Sequence, residues 1–259
     1  MIADGPSRRA RRIGAAIAAL IVVSTTQACS EGESSAPTPL TREQATLMAE
    51  VLYRNRESGG ATFTLSTPLG PEGGTLTLSG EVDWVGHHGH AIVTTSEPAV
   101  DPLSEVWWSL ERVFERRPSL DEDLIDLGVA LTASVIERPV DLERRRIDQL
   151  IALIVALAAE QPENAELILQ TEGSAFLRLD ELRGVDVEVL RYGERSIYWV
   201  DPTSGRLLRF EGTDGSRTFP IVVDLLETGE RDIEPDPSLQ VVPFDKIPGD
   251  LAAKSTTSP

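Results

Sequence analysis

The sequence predicts an α+β domain built on a mostly antiparallel sheet and set behind an export signal. Three observations carry that prediction. Apolar residues recur at helical spacing after Thr41 and again between Ile147 and Leu157. In 61–67, 75–84 and several later runs they alternate with polar residues, as in strands with one greasy face. Glycine, proline and aspartate separate those runs at the spacing of turns.

The first residues stand apart from the domain. Arg8, Arg9, Arg11 and Arg12 precede an apolar run from Ile13 to Val23. As a helix that run rises about 16 Å, too little for a hydrocarbon core of about 30 Å. The pattern is that of a secretory signal rather than a membrane span. Thr26-Gln27-Ala28-Cys29 follows, and Cys29 is the only cysteine in the chain. The tetrapeptide resembles a lipobox, at which the thiol receives diacylglycerol and the cleaved chain begins. Thr26 stands where Leu is usual, and Gln27 where Ser or Ala is. The expectation is a signal peptide over 1–28 and a lipid on Cys29 that attaches the protein to the outer face of the cytoplasmic membrane. The paired arginines leave the general and twin-arginine export routes both open.

Residues 29–40 read as a polar tether, 41–246 as the folded domain and 247–259 as a disordered tail. A domain of that size can bury a sufficient core without cross-links. A single cysteine allows no internal disulfide. The chain carries 42 acidic against 24 basic residues, a formal charge of −18, and removing the basic signal makes it more acidic. Nucleic acid is thereby excluded as a natural partner, since phosphate binding needs a basic face.

Thr41 and Gln44 form a capping box, with Ala45, Met48, Leu52 and Tyr53 behind it and Gly59-Gly60 as the stop. Strands are predicted over 61–67, 75–84 and 90–95, with Gly80 marking a bulge or bend in the second. The stretch 106–117 fits either period. Its Val-Trp-Trp start favours one strand, with Val106, Trp108, Leu110 and Phe114 on one face. Residues 119–160 are predicted helical, with Ser119, Asp121 and Asp141 as caps, a break at Pro139, and Ile147, Leu150, Ile151, Ile154 and Leu157 as a buried stripe. Strands are then predicted over 165–170, 175–179, 185–192, 196–200, 207–211 and 219–227, with a turn over 201–205.

The second block of strands carries a family resemblance. Gly184-Val185-Asp186-Val187 is followed by Trp199-Val200-Asp201-Pro202, then Gly205-Arg206-Leu207. This succession resembles the LolA-like and LppX/LprG-like lipoproteins over about 41–244. The resemblance implies a curved antiparallel half-barrel packed over helices, and a cavity between sheet and helices that accepts acyl chains. On that basis the expected ligand is a lipid or another apolar molecule. Trp84, Trp108, Leu110, Leu150, Ile151, Ile154, Leu157 and Trp199 are the candidate cavity walls. Related domains include periplasmic sensors, so a filled domain that meets an envelope protein partner is the alternative. The helical segment is apolar enough at its end to fill the cavity itself.

His87, His88 and His90 are all the histidines present, clustered in Gly86-His87-His88-Gly89-His90. They make a weak metal candidate, because a polar turn explains them equally and no fourth ligand is evident. No Gly-x-Ser-x-Gly elbow, Walker sequence or Gly-x-Gly-x-x-Gly after a strand is present. The expectation is a binding protein without a cofactor rather than an enzyme.

Overall fold

A computed structural model describes residues 36–70, 73–96, 103–116, 134–213, 220–233, 240–243 and 245. All of these lie in the compact unit Ser35–Pro259. Cys29, the signal and the tail beyond 245 lie outside the described residues.

Helix α1 runs Arg42–Glu57, and its capping box forms as predicted, with Thr41 accepting from the Gln44 N–H. Gly59 follows at φ +91°, a conformation that stops the helix and turns the chain into the sheet. Strands β1 (Gly60–Pro68), β2 (Thr75–Asp83), β3 (His88–Thr95), β4 (Glu105–Trp108), β5 (Arg112–Arg116) and β6 (Ser134–Pro139) then form one meander. Helices α2 (Arg146–Ala156) and α3 (Ala165–Gln170) lead to a second meander. It consists of β7 (Ala175–Leu182), β8 (Val185–Tyr192), β9 (Ser196–Val200), β10 (Leu207–Thr213) and β11 (Pro220–Thr228). Strand β12 (Gln240–Pro243) lies parallel to β6.

The strand order β12-β6-β5-β4-β3-β2-β1-β11-β10-β9-β8-β7 makes one open sheet of 12 strands. Antiparallel pairing of β1 with β11 joins the two meanders in its middle. The helices pack against one face, and one core cluster holds residues from α1, α2, α3 and both meanders. This is the half-barrel over helices that the sequence resemblance implied.

Several elements differ from expectation. The single strand over 106–117 is a hairpin, β4 and β5, closed where Ser109 N–H donates to the Arg112 carbonyl (2.9 Å). Residues 134–139 are strand, not helix, because Glu115 and Val113 of β5 pair with Ile136 and Arg138. Residues 119–133, including the expected caps Ser119 and Asp121, lie outside the described residues. Asp141 caps a turn instead of a helix, accepting from Glu143 and Arg144 N–H groups (3.2 and 3.1 Å). Residues 165–170 are helix, because the Asn164 side chain accepts from Glu166 N–H (2.9 Å) and caps it.

Gly80 makes no bulge, since the β1–β2 register is unbroken. A Cβ there would lie 1.9 Å from the His90 carbonyl oxygen, so the glycine serves close approach of β3. The fold also begins inside the segment read as tether. Thr38 and Phe176 exchange two backbone hydrogen bonds (2.9 Å each), and Leu40 is buried.

Candidate functional site: the seam between sheet and helices

The predicted stripe on α2 is buried along its whole length. Ile147, Leu150, Ile151, Ile154 and, just past the helix, Leu157 all join the core. Phe63, Leu65, Leu78, Val82, Val106, Trp108 and Val113 come from the sheet to the same cluster. Alternation along each strand aims these side chains at the helices while their neighbours face outward.

Polar bonds fasten α2 at both ends. At its C-terminal end Trp84 Nε1 donates to the Ile154 carbonyl (3.0 Å), and Asn55 Nδ2 to the Leu157 carbonyl (2.6 Å). The following loop is tied to α1, with Ala159 and Glu163 N–H groups donating to the Leu52 and Ala49 carbonyls (3.0 and 2.8 Å). At the N-terminal end Arg138 of β6 is almost fully buried. Its guanidinium donates to both oxygens of Asp148 (2.6 Å each), to the Pro139 carbonyl (3.1 Å) and to Glu115, 2.6 Å from Nε. Burial opposes its charge, yet the bonds to Asp148 and Glu115 prevail and raise its pKa above the ordinary arginine value. Asp148 sits in the first turn of α2, where a carboxylate also favours the helix dipole.

The candidate walls divide three ways. Trp84, Trp108, Leu150, Ile151, Ile154 and Leu157 meet in the seam. Leu110 does not, being 66% exposed at the β4–β5 turn, because that turn interrupts the period that placed it inward. Trp199 is buried, but on the opposite face of the sheet. There it packs with Val187, Val189 and Leu208, while Arg178 and Arg209 lie 5.0 and 5.4 Å from its ring centroid. Asp224, bonded to Arg209 (2.9 and 3.0 Å), raises that guanidinium's pKa further.

The two interior tryptophans differ in one respect. Trp84 has its N–H bonded, whereas Trp108, 3% exposed, has no hydrogen-bond partner for Nε1 among the described residues.

The histidines do not converge. His90 Nε2 lies 2.9 Å from Glu105 Oε1, and its ring stacks on Trp107 at 4.9 Å. His88 is exposed, and His87 occupies the turn at φ +56°. Among the described residues no three His, Cys, Asp or Glu side chains are grouped to hold a metal.

Sequence reasoning did not single out a surface pocket of about 450 Å³ between α1 and β8. Thr41, Glu43, Gln44, Thr46, Leu47, Glu50, Glu188 and Pro202 line it, so it is polar, and no predicted cavity wall borders it. The buried Arg138–Asp148–Glu115 cluster was missed too. Its members lie on β5, β6 and α2, and nothing local in the sequence links them.

No family model matches the chain, and no curated protein matches it. Solved structures do share its arrangement. LprF from Mycobacterium bovis is 11% identical, with 77% of this chain and 99% of that one covered at a TM-score of 0.43. An uncharacterized conserved protein from Thermus thermophilus is 10% identical, with 73% and 93% covered at 0.37. The Pseudomonas aeruginosa MucA/MucB complex contains a chain that is 13% identical, with 74% and 59% covered at 0.34. These are distant likenesses; the LolA-like half-barrel rests on this chain's own strand order and on the helices along one face.

Proposed function

We propose that this chain is an exported lipoprotein, held by lipid on Cys29 at the outer face of the cytoplasmic membrane, which binds a lipid or another apolar ligand between sheet and helices. Its role on this reading is binding, not catalysis. The observation that carries it is the seam. A stripe of aliphatic side chains on α2 faces an aliphatic and aromatic sheet surface, and the polar bonds that hold α2 there gather at its two ends. A ligand that separated the two surfaces would replace apolar contacts with apolar contacts and leave little new area in water. Native mass spectrometry of protein purified from its own membrane, with lipid extraction, is the test. The expected result is a stoichiometric apolar adduct and diacylglycerol on Cys29. Cys29→Ser should release the protein from the membrane fraction, and an unmodified Cys29 in the native protein would end the anchor reading.

A second reading is an interaction module with a permanently filled interior. The direct bonds from Trp84 and Asn55 to α2 favour it, because they join the two walls with no ligand between them. Recovery of the native protein without lipid above background would favour this reading.

A further inference from the structure

We infer that the indole N–H of Trp108 is the polar contact for the interior ligand, and that the ligand is therefore an ester-linked acyl lipid rather than a plain hydrocarbon. This rests on the seam being the ligand site. Trp84 and Trp108 are both almost completely buried, at 1% and 3% exposed, in the same core cluster. Trp84 bonds its N–H to a carbonyl of α2 (3.0 Å). Trp108 bonds its N–H to nothing among the described residues. A buried donor left without an acceptor is costly, and native interiors carry few of them.

Packing prevents Trp108 from turning to find a partner. Its ring fills the space where a side chain on Gly89 would stand, since a Cβ there would lie 1.8 Å from Cζ2 and 2.2 Å from Cε2. Gly89 is its cross-strand partner in β3, so the ring covers the bare backbone of the neighbouring strand. Phe63 borders it at 6.4 Å between ring centroids, and its other cross-strand neighbour is Val113. Those side chains offer no acceptor. A trapped water would need two or more polar partners, and the neighbours Phe63 and Val113 supply none. A molecule that is apolar almost throughout but carries a carbonyl oxygen satisfies both demands: its chains suit the seam, and its ester oxygen accepts from Nε1.

The test loads the detergent-extracted protein with an equimolar mixture of a triacylglycerol and a branched alkane of matched carbon number, read by native mass spectrometry. The intact protein should take the triacylglycerol over the alkane by about tenfold, the worth of one net hydrogen bond in an apolar site. Trp108→Phe keeps an aromatic ring without the donor. It should bring the two ligands to near-equal occupancy while leaving the thermal midpoint of the ligand-free protein unchanged or raised. Trp84→Phe should lower that midpoint and keep the preference. If the intact protein binds both ligands without preference, or Trp108→Phe retains the preference, the inference falls and the seam reading stands. If neither ligand binds, the seam reading falls and takes the inference with it.

Discussion

The two meanders use the same alternating pattern to different ends. In the first, the inner row meets α2, while the outer row of Thr64, Ser79 and Ile92 faces outward. In the second, both faces are apolar. Leu190, Val200 and Phe210 join the core beside the helices, and Val187, Val189, Trp199 and Leu208 form a separate cluster behind them. Among the described residues no helix covers that rear cluster; the protein's own arginines do. Arg178 and Arg209 lie over Trp199, and Arg183 from the β7–β8 turn reaches the Leu208 and Leu225 carbonyls (3.0 and 2.8 Å) and Asp224 (3.0 Å). A long charged side chain can seal apolar surface with its stem while its head stays hydrated. Which face of a strand is buried is thus decided by what lies across it, not by the strand's own sequence.

The attachment of α2 to the first meander should fail most completely when its ion cluster is disrupted. Arg138→Met leaves two carboxylates in a buried site without their principal cation. It should lower stability by about 3–5 kcal/mol, read by chemical denaturation. A loss below about 1 kcal/mol would mean that the cluster is hydrated and does not hold α2.

Two residues in one lateral row separate the outer faces of the meanders. Trp199, Arg209, Asp224, Thr64, Ser79 and Ile92 follow one another across β9, β10, β11, β1, β2 and β3. Trp199→Ala should cost about 3–5 kcal/mol, as for truncation in a core. Ile92→Ala, at a site 53% exposed, should change stability by less than about 0.5 kcal/mol. Equal effects at the two sites would erase the distinction between the meanders.

Tyr198 probes the inner face of the second meander, where it meets Phe210 edge-on at 5.4 Å. Burial, helped by the charges of Glu163 and Tyr192, pushes its pKa from 10.0 to about 12. A raised folded-state value means its contribution is whole below pH 10 and lost as pH climbs through 12. Unfolding free energy should therefore fall by roughly 3 kcal/mol across that window. Tyr198→Phe should flatten the fall, and absorbance near 295 nm should show one late-titrating tyrosine in the intact protein. A Tyr198 that titrates near 10 would show that this part of the inner face is wet.

The sequence made local features legible and left long-range ones hidden. Thr41 and Gln44 announce the start of α1 within four residues, and Ile147 to Leu157 announce the buried side of α2. The half-barrel was legible through turn spacing and alternation in the two strand blocks. Trp199 was assigned to the wrong face because Val185-Asp186-Val187-Glu188-Val189 and its neighbours supply apolar residues to both sides. Leu110 was assigned inward because a period cannot reveal a two-strand turn that interrupts it. The α2 wall of the seam was readable, whereas the pairing of Arg138 with Asp148 is a contact across the fold and left no periodic trace.

The Thr38–Phe176 bridge bears on how copies of this domain behave when crowded. A sheet's last strand offers unpaired amides and carbonyls, on which a foreign strand can polymerise. At Phe176 both outward backbone groups of β7 are already taken, and the irregular register between Phe176 and Arg178 bends the strand just beyond. Arg178, Asp180 and Glu181 then place charge along what remains of that border. By laying its own incoming segment against the rim, the chain protects the sheet from growing into its neighbours.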